Sequence, residues 1–391
     1  MKQIPYSKQL ISEDDIKRVC EAMRSERLTQ GPIVEAFEDA FAEYTGASYA
    51  VAFANGTAAL HAMYMAVGIG QGDEVIVPTL TFAATASAAI MCGAKPVLVD
   101  IDPAYGLIDP NAVERAITPK TKAVVPVHYA GHPADLDAIG DICDRHGIAL
   151  LEDACHALGS TYKDNRIGSQ NCCAFSLHPV KPITAAEGGM VTTNSKDMAE
   201  KLKRLRHHGI ERNGELQRRF GAWFYRIDEL GFNYRLSELH AALGLSQLER
   251  CDEFKARRRK LADRYIEAFE KMGGIHPLVE PPWGESTYHL FVVLVEPHGS
   301  GKDRRWLFDE LARRGIQCQV HYIPLHYQPY YQRLLGVKQG DFPGAEEFYS
   351  RAMSIPLYAG LTDAQQDYII ATIGELWSEE RWSSVVQKGY R

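Results

Sequence analysis

The sequence predicts an α/β protein with a large domain on a mostly parallel central β-sheet, followed by a smaller α+β C-terminal domain. Short apolar runs of strand length recur in the first half of the chain, among them SYAVAF, DEVIVP, KPVLVD, KAVVPV and IALLED. Helical stretches separate these runs, and this alternation is typical of a doubly wound parallel sheet. At 391 residues the chain is also long for one hydrophobic core, which favours two domains.

Two amphipathic helices are predicted ahead of the first strand. Ser12 is placed to cap the first helix, with Asp15 three residues further on. The apolar residues of this helix recur at helical spacing and are Ile16, Val19, Cys20 and Met23. The second helix ends near Gly46 and has its apolar residues at Ile33, Phe37, Phe41 and Tyr44. This spacing predicts that one side of each helix is buried.

The pattern changes at about Leu236. A long helical stretch follows, which we expect to be kinked near Gly244 and to connect the two domains. Beyond Pro281 and Pro282 the chain alternates strand, helix, strand and helix in the segments TYHLFVVLVE, RRWLFDELARRG, IQCQVHY and LTDAQQDYIIATIGELW. The predicted domains are residues 1–250 and residues 251–391.

Composition excludes several classes of protein. A net charge of −7 without a dominant basic block argues against nucleic acid or an anionic membrane as the main partner. The apolar runs are too short to span a bilayer, and the start, MKQIPYSKQLISEDD, lacks the apolar segment of a signal peptide. Eight cysteines without a C-x-x-C spacing predict neither a disulfide framework nor a metal site. We therefore expect a cytoplasmic protein without a metal.

An anion site is predicted in the segment FANGTAAL, where Gly56 and Thr57 follow a strand and begin a helix. The free N–H groups and the dipole of a helix start attract a phosphate, and Gly56 lets it approach the backbone. A helix that is merely capped remains an alternative. A dinucleotide is excluded, because the cluster GIGQG follows a helix and precedes a strand, the reverse of the order that fingerprint requires.

A carboxylate and a lysine complete a candidate cofactor site. Asp153 ends the apolar strand of IALLEDACHALG, and His156 lies three residues further on. Taken alone, these two residues could simply cap and pack. Lys181 follows Asp153 by 28 residues, in a loop stiffened by Pro179 and Pro182. A lysine for a Schiff base, an aspartate for a protonated ring nitrogen and a phosphate site are what pyridoxal phosphate requires.

The motifs together resemble a known family. The segments NGTAAL, PTLTFAAT, EDACHALG, FSLHPVKPITAAEGGMVTT and GFNYRLSELHAALGLSQL are similar, in order, to those of the DegT/DnrJ/EryC nucleotide-sugar aminotransferases. The resemblance runs from about Tyr6 to the C-terminus. It implies a fold-type-I transferase that depends on pyridoxal phosphate. Four segments, IPYSKQLIS, SERLTQGP, HPVKPIT and QVHYIPLHYQPYY, are most similar to members of the pseudaminic acid pathway.

The resemblance also implies residue roles. Lys181 would hold the cofactor and move protons, Asp153 would bind the ring nitrogen, and His156 would bind the ring hydroxyl. Phe82 would cover the ring, and Gly56, Thr57 and Ser176 would hold the phosphate, helped by Asn233 of the second subunit of a homodimer. An N-terminal arm, residues 1–30, would line the substrate site. The implied substrate contacts are Tyr6, Glu26, Arg27, Leu28, Thr29, Arg235, His321 and Tyr322.

The implied reaction moves the amino group of L-glutamate to a UDP-linked 4-keto sugar. Glu26 and Arg27 stand where relatives carry Lys and Gln, which leaves the contacts of this stretch open. Family members that dehydrate a keto sugar carry a histidine in place of the lysine, so Lys181 argues against that branch. GDP- or dTDP-linked keto sugars remain alternatives, as does a non-catalytic protein that binds pyridoxal phosphate or a sugar nucleotide as a regulatory ligand.

Overall fold

The computed structural model describes residues 3–297 and 301–377. The ends of the predicted N-terminal arm and small domain, residues 1–2 and 378–391, lie outside the described residues, as do residues 298–300. The helices are α1 Glu13–Met23, α2 Pro32–Thr45, α3 Gly56–Ala66, α4 Ala83–Met91, α5 Pro110–Ala116, α6 Leu136–His146, α7 Lys196–Arg206, α8 Gly214–Phe220, α9 Glu238–Leu248, α10 Cys251–Phe269, α11 Arg304–Arg313, α12 Pro329–Leu335, α13 Pro343–Arg351 and α14 Asp363–Trp377.

Seven strands form the central sheet of the described chain. They are β1 Tyr49–Phe53, β2 Glu74–Pro78, β3 Lys95–Val99, β4 Thr121–Val124, β5 Ala149–Asp153, β6 Cys172–Ser176 and β7 Gly189–Thr193. The strands lie in the order β1-β7-β6-β5-β4-β2-β3. Strand β7 is antiparallel to β1 and β6, and the other neighbours are parallel, so the predicted mostly parallel sheet is confirmed.

A second, antiparallel sheet forms in the C-terminal part of the described chain. Its three strands, β8 Ile275–Pro277, β9 Phe291–Val295 and β10 Ala352–Ile355, pair in the order β8-β9-β10. The expected strand in IQCQVHY is absent from the described chain, where Gln319 forms only an isolated bridge to Ser354. The remaining strands have two residues each: Ile101–Asp102, Leu107–Ile108, Thr161–Tyr162, Asn165–Arg166, Ile210–Glu211, Arg226–Ile227 and Gly284–Glu285.

Helices cover both faces of the central sheet, because alternate residues of a strand point to opposite sides. Val51 and Phe53 of β1 belong to the apolar cluster that contains the buried alanines of α3 and α4. Ala52, between them, belongs to the cluster with Phe37 and Phe41 of α2. These three strand residues are fully buried, so both faces of the sheet are covered here. A ligand can therefore reach the sheet only at the ends of its strands.

Helix α1 begins as predicted but buries a different side. The side chains of Ser12 and Asp15 each accept the other's backbone N–H, which is the expected capping box. Ile16 and Met23 are nevertheless exposed, and Asp15 is fully buried instead. Its carboxylate accepts hydrogen bonds from Gln247 and Arg250 at 2.7 and 2.6 Å. Because these hydrogen bonds place the Asp15 side of α1 against the protein, the side with Ile16 and Met23 faces solvent.

The predicted long helix is two helices. Helix α9 ends at Leu248 and α10 begins at Cys251, so the break lies beyond Gly244. Gly244 lies inside α9 instead, where a Cβ atom would come within 2.6 Å of the ring of Phe37. The glycine therefore permits close packing of α9 on α2 and does not mark a kink.

No helix among the described residues is both long and apolar enough to cross a membrane.

Candidate active site

A cavity of about 390 Å³ lies at the carboxyl ends of strands β5 and β6, beside the first turn of α3. This is where open α/β sheets place ligands. Its size is within the range of small-molecule sites. The cavity brings together ten residues that the sequence predicted: Tyr6, Gly56, Thr57, Phe82, Asp153, His156, Ser176, Lys181, His321 and Tyr322.

The first turn of α3 forms a narrow cradle for an anion. The side chain of Asn55 accepts the N–H of Ala58 at 2.8 Å and so caps the helix, whose first N–H groups have no partner within the helix itself. Gly56 lies so close to Ser176 that an added Cβ would be 2.9 Å from the Cβ of that serine. A side chain at position 56 would therefore crowd the cradle, whereas glycine leaves it open to a phosphate.

Asp153 is buried at the end of β5, and both oxygens of its carboxylate are held. Oδ1 accepts the backbone N–H of Cys155 at 3.1 Å. Oδ2 accepts the hydroxyl of Thr85, on α4, at 2.6 Å. Each oxygen keeps a further lone pair, since a carboxylate has about four acceptor positions. The carboxylate can therefore accept another N–H without giving up these bonds.

Lys181 lies in the turn after β6, where its backbone N–H donates to the carbonyl oxygen of His178 at 2.9 Å. Burial lowers the pKa of Lys181 because it disfavours the ammonium form, while Cys155 and Asp153 oppose this shift. A lowered pKa increases the fraction of neutral amine, which is the form that attacks a carbonyl and accepts a proton.

His156 has one nitrogen bound and one unbound. Its Nε2 lies 2.9 Å from the hydroxyl oxygen of Tyr322. Its Nδ1 is buried and has no hydrogen-bond partner among the described residues. Burial, with the charge of Lys181, lowers the pKa of His156 well below its usual range, so the ring is neutral. An unpartnered buried nitrogen in a cavity wall indicates a place for a polar group of a ligand.

Aromatic side chains form the open side of the cavity. Phe82 is 59% exposed, and its ring centre lies 5.8 Å from that of Tyr322. The rings of Tyr6 and His321 lie 5.5 Å apart. Burial and Lys181 lower the pKa of His321 to about 4, so this side chain is neutral at ordinary pH. The exposed face of Phe82 is thus free to cover a planar ligand.

The other predicted residues lie outside this cavity. Residues 26–29 are exposed, and the backbone around Thr29 pairs with that around Ser237. Asn233 is exposed and lies on the segment that leads to Ser237. Arg235 lines a different cavity of about 250 Å³, with its Nη1 2.8 Å from Nδ1 of His207. A single chain therefore does not bring Glu26, Arg27, Leu28, Thr29, Asn233 or Arg235 to Lys181.

Several residues in or beside the cavity were missed from the sequence. His289 lies behind His156, with ring centres 4.4 Å apart, and its Nδ1 is likewise buried without a partner among the described residues. Thr81 and Thr85 lie near Asp153. Thr81 precedes the N-cap residue Phe82 and Thr85 lies in the first turn of α4, so helical spacing alone did not mark this contact. No local pattern marks His289.

The site fits pyridoxal phosphate on several counts. It offers a helix start with a glycine cradle for the phosphate, a buried carboxylate with free acceptor capacity for the ring nitrogen, and an unpartnered imidazole nitrogen. The lysine lines the same cavity as all of these. In the described part of the chain, no group of three or more His, Cys, Asp or Glu side chains is arranged to hold a metal ion.

Comparisons with known proteins identify the family of the chain. The sequence model of the DegT/DnrJ/EryC1/StrS aminotransferase family matches residues 9–374. The chain is 41% identical over 377 residues to the spore coat polysaccharide biosynthesis protein SpsC of Bacillus subtilis, covering 95% of this chain and 97% of SpsC.

Two solved structures are similar over nearly the whole chain. Helicobacter pylori PseC, an aminotransferase involved in the biosynthesis of pseudoaminic acid, has a TM-score of 0.89 at 32% identity, covering 96% of this chain and 99% of PseC. Spr1654 of Streptococcus pneumoniae, in its PLP form, has a TM-score of 0.88 at 33% identity, covering 95% of this chain and 97% of Spr1654.

Proposed function

The chain belongs to the DegT/DnrJ/EryC1/StrS aminotransferase family and is a pyridoxal phosphate-dependent sugar aminotransferase, and from that premise we propose its substrates. The amino donor is L-glutamate, and the acceptor is UDP-2-acetamido-2,6-dideoxy-β-L-arabino-hexos-4-ulose, aminated at C4. The product is UDP-4-amino-4,6-dideoxy-N-acetyl-β-L-altrosamine, a precursor of pseudaminic acid. The observation that carries the proposal is the similarity to PseC over 96% of this chain and 99% of PseC.

The reacting groups have distinct tasks in this proposal. Bound pyridoxal phosphate supplies an electron sink for the charge left when the Cα–H bond of the donor breaks. Lys181 takes the proton from Cα of glutamate at its Nζ, and in the second half of the reaction it delivers a proton to C4 of the sugar. Its lowered pKa suits this exchange, because the neutral amine is readily available.

The neighbouring residues orient and bind. Asp153 accepts the N–H of the protonated cofactor ring, which keeps the ring electron-withdrawing. His156 offers Nδ1 to the ring hydroxyl, and Tyr322 fixes the imidazole through Nε2. Phe82 covers the ring and excludes water from that face. The helix start at Gly56 and Thr57, with Ser176, would hold the phosphate and so anchor the cofactor in the cavity that Lys181 lines.

We also propose that the working unit is a homodimer. Asn233, Arg235 and residues 26–29 lie outside the cavity of their own chain, so their predicted roles require a second copy. In that arrangement Asn233 reaches the phosphate, and Arg27 binds the diphosphate or the uracil. Exposed apolar side chains near α1 offer surface for such an interface. They are Leu10, Ile11, Ile16, Met23 and Leu28.

The cytoplasm is the compartment that we propose. All eight cysteines are free thiols, including the neighbours Cys172 and Cys173. Thiols persist unpaired in a reducing compartment.

The test uses each half of the reaction separately. Protein treated with L-glutamate should release 2-oxoglutarate and lose its visible absorption, after which excess donor is removed. Candidate UDP-, GDP- and dTDP-linked keto sugars are then added one at a time, and the return of the visible band is followed. Return with the UDP-linked L-arabino sugar alone supports the proposal. Return with a different sugar keeps the aminotransferase and rejects the substrate.

Two variants anchor this test. Lys181→Ala should lower turnover by about 10²-fold or more, because the proton-transfer group is lost. Lys196→Ala, in an exposed ion pair on α7, should behave like the wild type. Steady turnover by Lys181→Ala would contradict the assignment of this lysine.

A second substrate class has a specific observation in its favour. SpsC, at 41% identity, is a protein of spore coat polysaccharide synthesis. A keto-deoxysugar that enters a surface polysaccharide is therefore the alternative acceptor, and the same panel of sugars decides between the two. A non-catalytic binder would release no 2-oxoglutarate from glutamate.

A further inference from the structure

Asp153 is tied to helix α4 through a chain of two hydroxyl groups. Oγ1 of Thr85 lies 2.6 Å from Oδ2 of Asp153 and 2.8 Å from Oγ1 of Thr81. All three side chains are buried, with exposures of 0% for Thr85, 1% for Thr81 and 4% for Asp153. Water therefore has little access to these bonds, so the protein itself must supply the hydrogen-bond partners of the three groups.

The direction of the hydrogen bonds follows from the number of protons. An ionised carboxylate can only accept, so the single proton of the Thr85 hydroxyl goes to Asp153. The 2.6 Å separation is typical of an O–H bond to a charged oxygen. The hydroxyl of Thr81 then donates to Thr85. The chain runs from Thr81 through Thr85 to Asp153, and such chains strengthen one another in a buried site.

This arrangement fixes the rotation of the carboxylate. Oδ1 is held by the N–H of Cys155 at 3.1 Å, and Oδ2 is held by Thr85. Removing the hydroxyl would leave one oxygen buried without its donor and would allow the carboxylate to turn about its Cβ–Cγ bond. A site of this kind must keep its groups within about half an ångström of the working geometry.

Thr85 also locates the helix that carries Phe82. Phe82 is the N-cap residue of α4, and the carbonyl oxygen of Thr85 accepts a hydrogen bond from the hydroxyl of Tyr64 at 3.0 Å. The backbone of Thr85 is thus bound by Tyr64 of α3, and the side chain of Thr85 binds Asp153. One residue connects the carboxylate with the helix that bears the predicted ring cover.

We propose that Thr85 is a positioning residue, oriented by Thr81, that aims the carboxylate of Asp153 at the ring nitrogen of the cofactor. This rests on the proposed function only for the presence of pyridoxal phosphate, and it holds for any sugar substrate. Thr85 does not itself touch the reacting atoms.

The decisive variant is Thr85→Val, which keeps the shape of the side chain and removes the hydroxyl. Pyridoxal phosphate is titrated into the apoprotein, and the visible circular dichroism of the bound cofactor reports how rigidly the ring is oriented. We expect the dissociation constant to rise about 10- to 100-fold, as is usual when a hydrogen bond to a charged group is lost. At saturation, the dichroism per bound cofactor should fall. Thr85→Ser should restore both within a few-fold.

Thr81→Val supplies the second measurement. It leaves the bond from Thr85 to Asp153 and removes only the orienting donor, so we expect a few-fold rise of the dissociation constant. If Thr85→Val does not fold, Thr81→Val decides the matter alone. Ser87→Ala is the matched control on α4, because its hydroxyl contacts Tyr331 instead, and it should bind cofactor like the wild type.

The outcomes separate the two proposals. Wild-type affinity and dichroism in Thr85→Val would overturn the positioning role. So would loss of apoprotein thermal stability without a change in either quantity, because that indicates a purely structural hydroxyl. No sugar is used, so failure of the UDP-sugar assignment leaves this test intact.

Discussion

The hydroxyl oxygen of Tyr322 lies 2.9 Å from Nε2 of His156, although 166 residues separate them in the sequence. This bond joins the segment after α11 to the turn after β5. It occupies one imidazole nitrogen and leaves Nδ1 buried and unpartnered among the described residues. The orientation of a predicted cofactor contact is therefore set by the far end of the chain.

Tyr322→Phe should weaken cofactor binding and lower stability. The change leaves Nε2 of His156 buried without a partner, which costs about 1–3 kcal/mol in the free energy of unfolding. Urea unfolding of the apoprotein and titration with pyridoxal phosphate measure the two effects. Tyr330→Phe, at an exposed site, is the control and should change neither. Equal affinity and stability in Tyr322→Phe would show that the contact has no role.

Gly56→Ala should impair the phosphate cradle. Its Cβ would lie 2.9 Å from the Cβ of Ser176, closer than carbon atoms approach without displacement. We expect the dissociation constant for pyridoxal phosphate to rise by about 10- to 100-fold. Making room for the new carbon displaces the cradle, and overpacking of this kind costs about 1–3 kcal/mol. Gly70→Ala, where the added carbon meets nothing within 4 Å, is the control. Unchanged binding in Gly56→Ala would place the phosphate elsewhere.

The buried His132 should make the protein sensitive to acid. Burial lowers its pKa to about 4, whereas in the unfolded chain a histidine titrates near 6.5. Between about pH 6.5 and about pH 4 this histidine is protonated in the unfolded chain but not in the folded one. The free energy of unfolding therefore falls as the pH falls through this range, and the contribution of His132 is fully present above it.

His132→Phe should therefore lose less stability than the wild type on acidification. At about pH 5.5 the difference attributable to this residue is about 1 kcal/mol. Urea unfolding at about pH 7.5 and about pH 5.5 measures it, with His208→Asn, at an exposed position, as the control. The free energy of unfolding of His132→Phe will still depend on pH, since burial also lowers the pKa of His156, His289 and His321. Parallel curves for His132→Phe and the wild type would contradict the assignment.

Gly244→Ala should destabilise the fold. The new Cβ would lie 2.6 Å from Cζ of Phe37, which is fully buried between α2 and α9. Overpacking of this kind costs about 1–3 kcal/mol, partly offset by the better helix propensity of alanine. Gly273→Ala adds a carbon into open space and should change the free energy of unfolding by less than about 0.5 kcal/mol. Thermal or urea unfolding compares the two, and equal stabilities would rule out the tight contact.

Local sequence patterns predicted the ends of helices correctly where interactions between residues close in sequence determine them. The capping box of Ser12 and Asp15 and the left-handed Gly46 at the end of α2 both occur where the sequence placed them. The same patterns failed where a distant partner decides. The apolar stripe with Ile16 and Met23 is exposed because Asp15 is anchored to Gln247 and Arg250 instead. Gly244 marks packing against Phe37, which no local signal reveals.

The sequence by itself predicted the alternation of strands and helices in the central sheet, the family, and the cofactor roles proposed for Lys181, Asp153 and the helix start at Gly56. These depend on spacing along the chain and on residue chemistry. Only the tertiary structure decided that Tyr322 orients His156, that Thr85 holds Asp153 and that Arg235 lies in a separate cavity. Such contacts join residues that are tens to hundreds of positions apart. Their geometry is set by how the sheet and helices pack, and one-dimensional spacing carries no record of that packing.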